Sequence, residues 1–374
     1  MLQKAILAER PQDWLVAHGG EMPVQFFCPP ALEAKHRAFR EGFPGEVTFA
    51  VKSNPAEAVL TQLHAGGMAG FDVASPAEIA LMQRLAPGAH LHYHNPVRSP
   101  GEIALAKAAG ATSWAVDRPG ELEKLLAADL PREAEFAVRL DLPVEGAAYA
   151  FSAKFGAGPA EAAKLMRRAA SAGRRVSLTF HVGTQCDEPS AWAAYLETAA
   201  ELMEETGIRL ASVNVGGGFP SARSGEPAEL APIFETISSF APRFPGARLV
   251  CEPGRGLVAD AFAYAVRIKS LDRGDAILND GIYGGLSEFV TLGLSAFEVV
   301  AGDGRELSES HQPHRLWGPT CDSLDRLPGE PLLPADVEEG DWLLFSAMGA
   351  YLYGVNTAFN GYGAWDEVSV SSLG

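Results

Sequence analysis

Three groups of polar residues in this chain stand where apolar runs end, and each has a distinct chemical use. Lys52 closes the run Thr48-Phe49-Ala50-Val51. A lysine beside apolar residues can have its pKa lowered by burial, and the neutral amine then forms an imine with an aldehyde. In isolation, an exposed loop lysine would look the same. His181 and Thr184 follow a second apolar run, in Phe180-His181-Val182-Gly183-Thr184-Gln185, and Gly216-Gly217-Gly218 follows a third. Successive glycines leave backbone N–H groups unshielded, so such a loop can wrap a phosphate, although a flexible turn has the same composition. Cys251-Glu252-Pro253-Gly254-Arg255 then sets a carboxylate and a guanidinium close together, as a functional pair or a structural ion pair.

The positions of these residues follow a larger pattern. Short β-rich runs at 47–51, 70–74, 90–94, 113–116, 135–140, 177–182, 212–215 and 249–251 alternate with Ala/Glu/Leu-rich stretches. Those stretches, such as 76–85, 120–128, 159–172, 190–205 and 229–240, carry apolar residues at helical spacing. Strand-helix alternation means parallel strands joined by helical crossovers, and this number of units suits a closed (β/α)8 TIM-like barrel over residues 25–257. An open doubly wound α/β sheet is the alternative. In a barrel the candidate residues all fall at the C-terminal ends of strands, where such folds place their sites. Beyond residue 257, strand-like stretches at 263–268, 276–278, 297–300 and 342–345 are separated by Gly, Pro and Asp turns. They predict a second, mainly β domain, of sandwich or barrel type, built from 258–374 with 1–24.

The chain has 374 residues, with 30 basic and 47 acidic side chains and a net charge of −17. No Lys/Arg-rich run is present, which argues against a nucleic-acid or anionic-membrane partner. Lys4, Glu9, Arg10 and Asp13 interrupt the apolar residues of the first twenty, so a signal peptide is not expected and a cytoplasmic location is. Cys28, Cys186, Cys251 and Cys321 are scattered without a CxxC pair, and neither a disulfide framework nor a metal site is expected.

Taken together, the site residues match the needs of pyridoxal 5'-phosphate (PLP). They offer a lysine for the imine, glycine amides and Arg255 for the phosphate, a histidine to stack on a ring, and Glu252 for a pyridinium nitrogen. The chain resembles the fold-type III, PLP-dependent basic amino acid decarboxylases, the ornithine and diaminopimelate decarboxylase family of alanine-racemase-like fold. The resemblance spans nearly the whole length and rests on six motifs in family order. They are Ala50-Val51-Lys52-Ser53-Asn54, Gly70-Phe71-Asp72-Val73-Ala74-Ser75, His181-Val182-Gly183-Thr184-Gln185, Gly216-Gly217-Gly218-Phe219-Pro220, Glu252-Pro253-Gly254-Arg255 and Gly318-Pro319-Thr320-Cys321-Asp322-Ser323. Lys154-Phe155-Gly156 and Asn279-Asp280-Gly281-Ile282-Tyr283-Gly284 also look like family segments.

The resemblance implies that Lys52 holds PLP, His181 stacks on its ring and Glu252 pairs with the ring nitrogen. It assigns the phosphate to Gly217, Gly218, Arg255, Thr184 (more often Ser in the family) and Tyr351, and places Asp72 and Arg139 near the cofactor. It also implies a homodimer with shared sites, in which Cys321 and Asp322 enter from the partner chain, Cys321 to protonate the carbanion and Asp322 to bind the distal amine. Alone, Cys321 would read as an inert buried thiol.

For substrate, the motif reads Cys321-Asp322-Ser323 where diaminopimelate enzymes have Cys-Glu-Ser, and 284–290 contains no Arg or Lys to meet a second carboxylate. The resemblance therefore implies a cationic substrate end, and decarboxylation of L-ornithine to putrescine, a step of polyamine synthesis. Lysine, diaminopimelate and carboxynorspermidine are the alternatives. Tyr283 is a further candidate substrate contact. Many ornithine enzymes carry an acidic residue where counting places Leu292, and Glu288 is the candidate for that role, or simply an exposed glutamate. An alanine-racemase-like enzyme would pair the ring nitrogen with arginine, against Glu252. A non-catalytic relative that binds a regulatory protein would not need Lys52, His181, Glu252, Arg255 and Cys321 together.

Overall fold

The computed structural model describes residues 8–68, 70–149 and 154–374, so Lys4 lies outside the described residues. The chain divides into two compact units, one of His36–Pro220 with Ala228–Leu257, the other of Met1–Lys35, Ser221–Pro227 and Val258–Gly374. Helix α1 (Pro11–His18), strand β1 (Val24–Phe27) and helix α2 (Pro29–Gly42) open the chain.

The first unit is a closed barrel of parallel strands: β2 (Glu46–Ala50), β3 (Gly70–Val73), β4 (His90–Tyr93), β5 (Ser113–Val116), β6 (Glu135–Arg139), β7 (Arg175–Thr179), β8 (Ser212–Asn214) and β9 (Arg248–Cys251). Strand β2 pairs with both β3 and β9, which closes the ring. Helices α3 (Glu57–Ala65), α4 (Pro76–Leu85), α5 (Pro100–Ala108), α6 (Pro119–Ala127), α7 (Pro159–Ser171), α8 (Pro189–Thr206) and α9 (Ala231–Phe240) make the crossovers. Every residue of β3 and β5 is buried, as parallel strands covered on both faces require. Local chemistry starts the helices. Ser75 and Ser99 accept the backbone N–H of Glu78 and Glu102, Glu102 returns the bond as a capping box, and prolines fill the first helical positions.

The N-terminal end of the barrel carries a polar network. Glu135 accepts from Ser177, Ser212 and Arg248 at 2.9, 2.7 and 2.7 Å, and Arg248 also reaches Glu46 at 2.6 Å. Burial pushes the Glu135 carboxyl up, but these donors override it and hold the group below its ordinary range. Strand β7 differs from the sequence expectation: it ends at Thr179 rather than 182, leaving His181 in the loop beyond it. The Phe180 N–H still bonds to the Asn214 carbonyl at 3.2 Å, but Gly183 turns to φ 110, so the apolar run continues past the ladder.

The second unit contains β10 (Phe262–Asp272), β11 (Asp275–Leu278), β12 (Phe297–Val300), β13 (His311–Pro313), β14 (Arg315–Trp317), β15 (Leu332–Pro334), β16 (Trp342–Ser346) and β17 (Asp366–Ser369). Its main sheet runs β12-β16-β10-β1-β17, with β11 joining β10 to β14, and β13 pairs with β15 separately. From Phe262 to Val266 strand β10 is apolar on both faces. Tyr264, Val266 and Ile268 pack with Leu343 and Phe345, while Ala263 and Ala265 pack with Phe26, Trp342 and Leu344. The first division falls after Lys35 rather than at the expected 25, whereas the second lies between Leu257 and Val258. Strand β1 pairs antiparallel with β10 and parallel with β17, so its ladder draws it into the sheet unit. Residues 221–227 belong there too, through bonds such as the Ala296 N–H to the Arg223 carbonyl at 2.7 Å. No helix among the described residues is long and apolar enough to cross a membrane.

Candidate active site

The C-terminal ends of the barrel strands bring together residues scattered from 52 to 255. Lys52 follows β2 in a short 3-10 turn, and Asp72 lies on β3. Their register is direct, since Ala50 pairs with Asp72, and Lys52 Nζ donates to Asp72 Oδ2 at 2.6 Å. Asp72 is buried whereas the lysine is half-exposed. Burial raises the Asp72 carboxyl, the positive Lys52 works against that, and the negative Glu252 adds to it. The turn is locked to the segment that follows the neighbouring strand β9, because the Ala50 N–H bonds to the Pro253 carbonyl and a Cβ at Gly254 would meet Ser53 Cβ at 2.9 Å.

Glu252 follows β9 and is buried. Its Oε1 accepts from Asn214 Nδ2 at 2.6 Å and from His94 Nδ1 at 2.7 Å, with His92 Nδ1 3.5 Å away. Burial alone would raise this carboxyl. The attraction of His94, together with hydrogen bonds from the His92 and His94 rings, overrides that effect, so Glu252 is held well below the usual carboxylate range. The two buried carboxylates of this rim are therefore set in opposite directions, Asp72 up and Glu252 down.

His181 lies in the loop after β7, with its Nδ1 accepting the Gly183 N–H at 3.0 Å. That bond assigns the proton of the neutral ring to Nε2. Burial, then the positive Arg139 and Lys52, push its pKa down to about 3, so the ring is neutral near pH 7. The glycine loop after β8 lies against it. A Cβ at Gly217 would sit 3.2 Å from His181 Nε2, and one at Gly218, where φ is +95, would collide with the Gly183 carbonyl at 2.3 Å. Arg255 Nε donates to Thr184 Oγ1 at 3.5 Å, and the Arg139 guanidinium stands 5.6 Å from the centre of Phe155.

These residues fit PLP. A glycine cradle that a Cβ would fill, an amine, a cation with a hydroxyl, and an ionised buried carboxylate form a donor set suited to an aldehyde, a phosphate and a pyridinium. His92, His94 and Glu252 are also a possible trio of metal ligands. The 2.7 Å between His94 and Glu252 is a hydrogen bond, shorter than the roughly 3.3 Å that separates two ligands of one tetrahedral ion.

The remaining expected residues lie in the sheet unit. Tyr283 donates to Asp322 Oδ2 at 2.5 Å, which holds that carboxyl below its ordinary value and raises the phenol. Exposed Cys321 is adjacent, its N–H bonded to Asn360 Oδ1 at 3.1 Å. Both segments are anchored by buried Asp325, which accepts from Ile282 N–H, Thr320 N–H and the Thr320 hydroxyl at 2.9, 3.1 and 2.7 Å. A Cβ at Gly281 or Gly318 would strike that carboxylate, which explains both glycines. Tyr351 has φ 66, and Glu288 stands just before the short helix Phe289–Leu292. His92, His94, Ser113, Asn214 and Asp325 are not among the residues that the sequence marks for the site. A signal for the histidines was present, since His90, His92 and His94 are spaced by two, so they face the same side of a strand.

The family described as pyridoxal-dependent decarboxylase, pyridoxal binding domain, matches residues 30–259. The chain belongs to this family. Among relatives of the decarboxylase, ornithine decarboxylase of Mus pahari is 31% identical, covering 88% of this chain and 76% of its own length. The Caenorhabditis elegans ornithine decarboxylase is 32% identical, with 85% and 79% covered. In structure, the lysine/ornithine decarboxylase of Vibrio vulnificus complexed with putrescine matches with TM-score 0.80 and 28% identity, over 96% of both chains. The arginine decarboxylase of Paramecium bursaria Chlorella virus, at TM-score 0.86 and 24% identity over 96% and 98%, shares the fold. The decarboxylase thus has the barrel and sheet architecture of its family, and pyridoxal phosphate is its cofactor.

Proposed function

We propose that this decarboxylase acts on a small basic amino acid, ornithine first, releasing CO2 and leaving putrescine. The observation that carries the decarboxylation is the setting of Glu252, a buried carboxylate whose Oε1 accepts from Asn214 and His94, contacts that hold its pKa down. When bound, the cofactor's pyridine ring takes up the electrons left as the bond from Cα to the carboxylate breaks, provided its nitrogen stays protonated. Glu252 is the group that holds that proton, a task an arginine at this position would oppose.

The other assignments follow from the local chemistry. Lys52 binds the cofactor through its amine, and Asp72 stabilises and orients that amine between turnovers. Neutral His181 covers one face of the ring without adding charge to it. Gly217, Gly218, Thr184, Arg255 and Tyr351 hold the phosphate, with Arg139 near the cofactor. Asp322, kept anionic by the Tyr283 hydroxyl, receives the distal ammonium of the substrate, with Glu288 as a second acidic contact. Cys321 delivers the proton to Cα. The working form in this reading is a cytoplasmic homodimer in which Cys321 and Asp322 serve the partner's barrel.

Ornithine as first substrate is supported by the ornithine decarboxylases among the relatives and by the absence of Arg or Lys from 284–290. Lysine is the second reading, because the Vibrio vulnificus relative has been seen with putrescine and with cadaverine. One methylene is worth about 1 to 3 kcal/mol, so roughly a 10- to 200-fold preference is expected. The test offers ornithine, lysine, arginine, meso-diaminopimelate and carboxynorspermidine to the PLP-loaded protein and measures CO2 and amine. Preference for ornithine supports the assignment, and preference for another acid overturns the substrate. Lys52→Ala should lose both the absorption band of lysine-bound cofactor and all turnover. An unchanged band would remove Lys52 from its role.

A further inference from the structure

Behind Glu252 lies a chain of buried polar side chains. His94, just beyond β4, donates through Nδ1 to Glu252 Oε1 at 2.7 Å, and its Nε2 lies 2.8 Å from Ser113 Oγ at the start of β5. Asn214, at the end of β8, completes the set. Its Oδ1 accepts the Gly216 N–H at 2.9 Å, which turns Nδ2 toward Glu252 Oε1 at 2.6 Å. One carboxylate oxygen is therefore saturated by two donors, while Oε2 accepts from none of the described residues. Four strands contribute to this arrangement, and His94, Ser113, Asn214 and Glu252 are all buried.

We propose that His94 is a positioning residue for Glu252, which fixes the carboxylate through Oε1 so that Oε2 is presented to the cofactor's ring nitrogen. The proposal rests on the assignment of Glu252 to that nitrogen. A hydroxyl can donate or accept, so Ser113 partners Nε2 in the neutral ring and in the imidazolium alike. His94 thus keeps its Nδ1–H on Glu252 in either state, and the carboxylate does not turn when a proton arrives. The titratable groups facing His94 are Glu252 and His92, whose ring stacks on it at 5.3 Å, with Asp72 on the neighbouring strand. A side chain that only filled the barrel would need neither Nδ1–H nor a partner for Nε2.

The experiment compares the holoenzyme with His94→Leu, His94→Asn, Glu252→Gln and the double variant His94→Leu/Glu252→Gln. Three quantities are read: the dissociation constant of PLP from titration of the apoenzyme, the absorption band of the bound cofactor across pH, and kcat and KM for the best substrate. His94→Leu should lower kcat about 10-fold or more with KM nearly unchanged, and should shift the pH dependence of the band. His94→Asn places an amide N–H near the position of Nδ1 and should recover both to within about 3-fold. The double variant should be no worse than Glu252→Gln alone, because a residue that acts through Glu252 has nothing to add once Glu252 is replaced. Additive losses, or His94→Asn as impaired as His94→Leu, would overturn the proposal. A strongly impaired Glu252→Gln beside an unaltered His94→Leu overturns it alone, whereas an unaltered Glu252→Gln overturns the role of Glu252 as well. Should His94→Leu fail to fold, Ser113→Ala carries the test: a shifted band is expected, and an unchanged one refutes the proposal.

Discussion

Glu252 shows how one residue type acquires its function from its surroundings. Burial by itself would favour the protonated acid, and the same barrel raises Asp72 for that reason. Imidazole and amide donors reverse the sign at Glu252. Its folded pKa therefore lies below the unfolded value of about 4.3. Such a group adds stability that is complete above the unfolded value and lost as pH falls through the folded one. Glu252→Gln should flatten the fall in stability on acidification below about pH 4.3, measured as the urea midpoint at successive pH values. A slope equal to that of the wild type would mean that Glu252 is not depressed. The sequence identified Glu252 by its motif and its place after a strand, but the motif does not contain His94 or Asn214, which lie 158 and 38 residues upstream.

At the scale of elements, one carboxylate bonds to two loop segments of the sheet unit. Asp325 ties the segment containing Tyr283 to the one containing Cys321 and Asp322, through three hydrogen bonds. Asp325→Ala strands two backbone N–H groups and a hydroxyl in a partly buried position, and unmade bonds of this kind cost up to about 1 to 3 kcal/mol each. A loss of about 3 kcal/mol of stability, read from urea unfolding, is expected, with the loss of the Tyr283–Asp322 contact appearing as a raised KM. An unaltered KM would separate this anchor from the substrate residues. The barrel strands were legible within a few residues because short, fully buried parallel strands between amphipathic helices have a clear period. Strand β7 was read too far along, since an apolar loop beneath the rim has the same composition as a strand.

At the scale of the whole molecule, the proposed exchange of Cys321 and Asp322 between subunits gives a quantitative test. Lys52→Ala and Cys321→Ala homodimers should each be nearly inactive. Co-refolded in equal amounts, half of the dimers are hybrids and each hybrid keeps one intact site, so activity should return to about a quarter of the wild type. No recovery would place both residues in sites built within one chain. The sheet unit that carries Cys321 draws on both ends of the described chain, because β1 pairs with β17 and Ala8 bridges to Val370.

The sequence by itself determined the alternating fold and the residue types at the strand ends, because both are written in local order. Lys52, His181, the glycines 216–218, Glu252 and Arg255 were legible in this way, each at the end of an apolar run, and Asp72 only through the family resemblance. Only the tertiary structure decided what those residues feel. The Lys52–Asp72 contact depends on the register of β2 against β3. The charge on Glu252 depends on which side chains β4 and β8 turn inward, and the place of β1 in the sheet unit depends on pairing with strands more than 200 residues away. Hydrogen bonds and desolvation act over a few ångströms in space, and distance along the chain does not encode them.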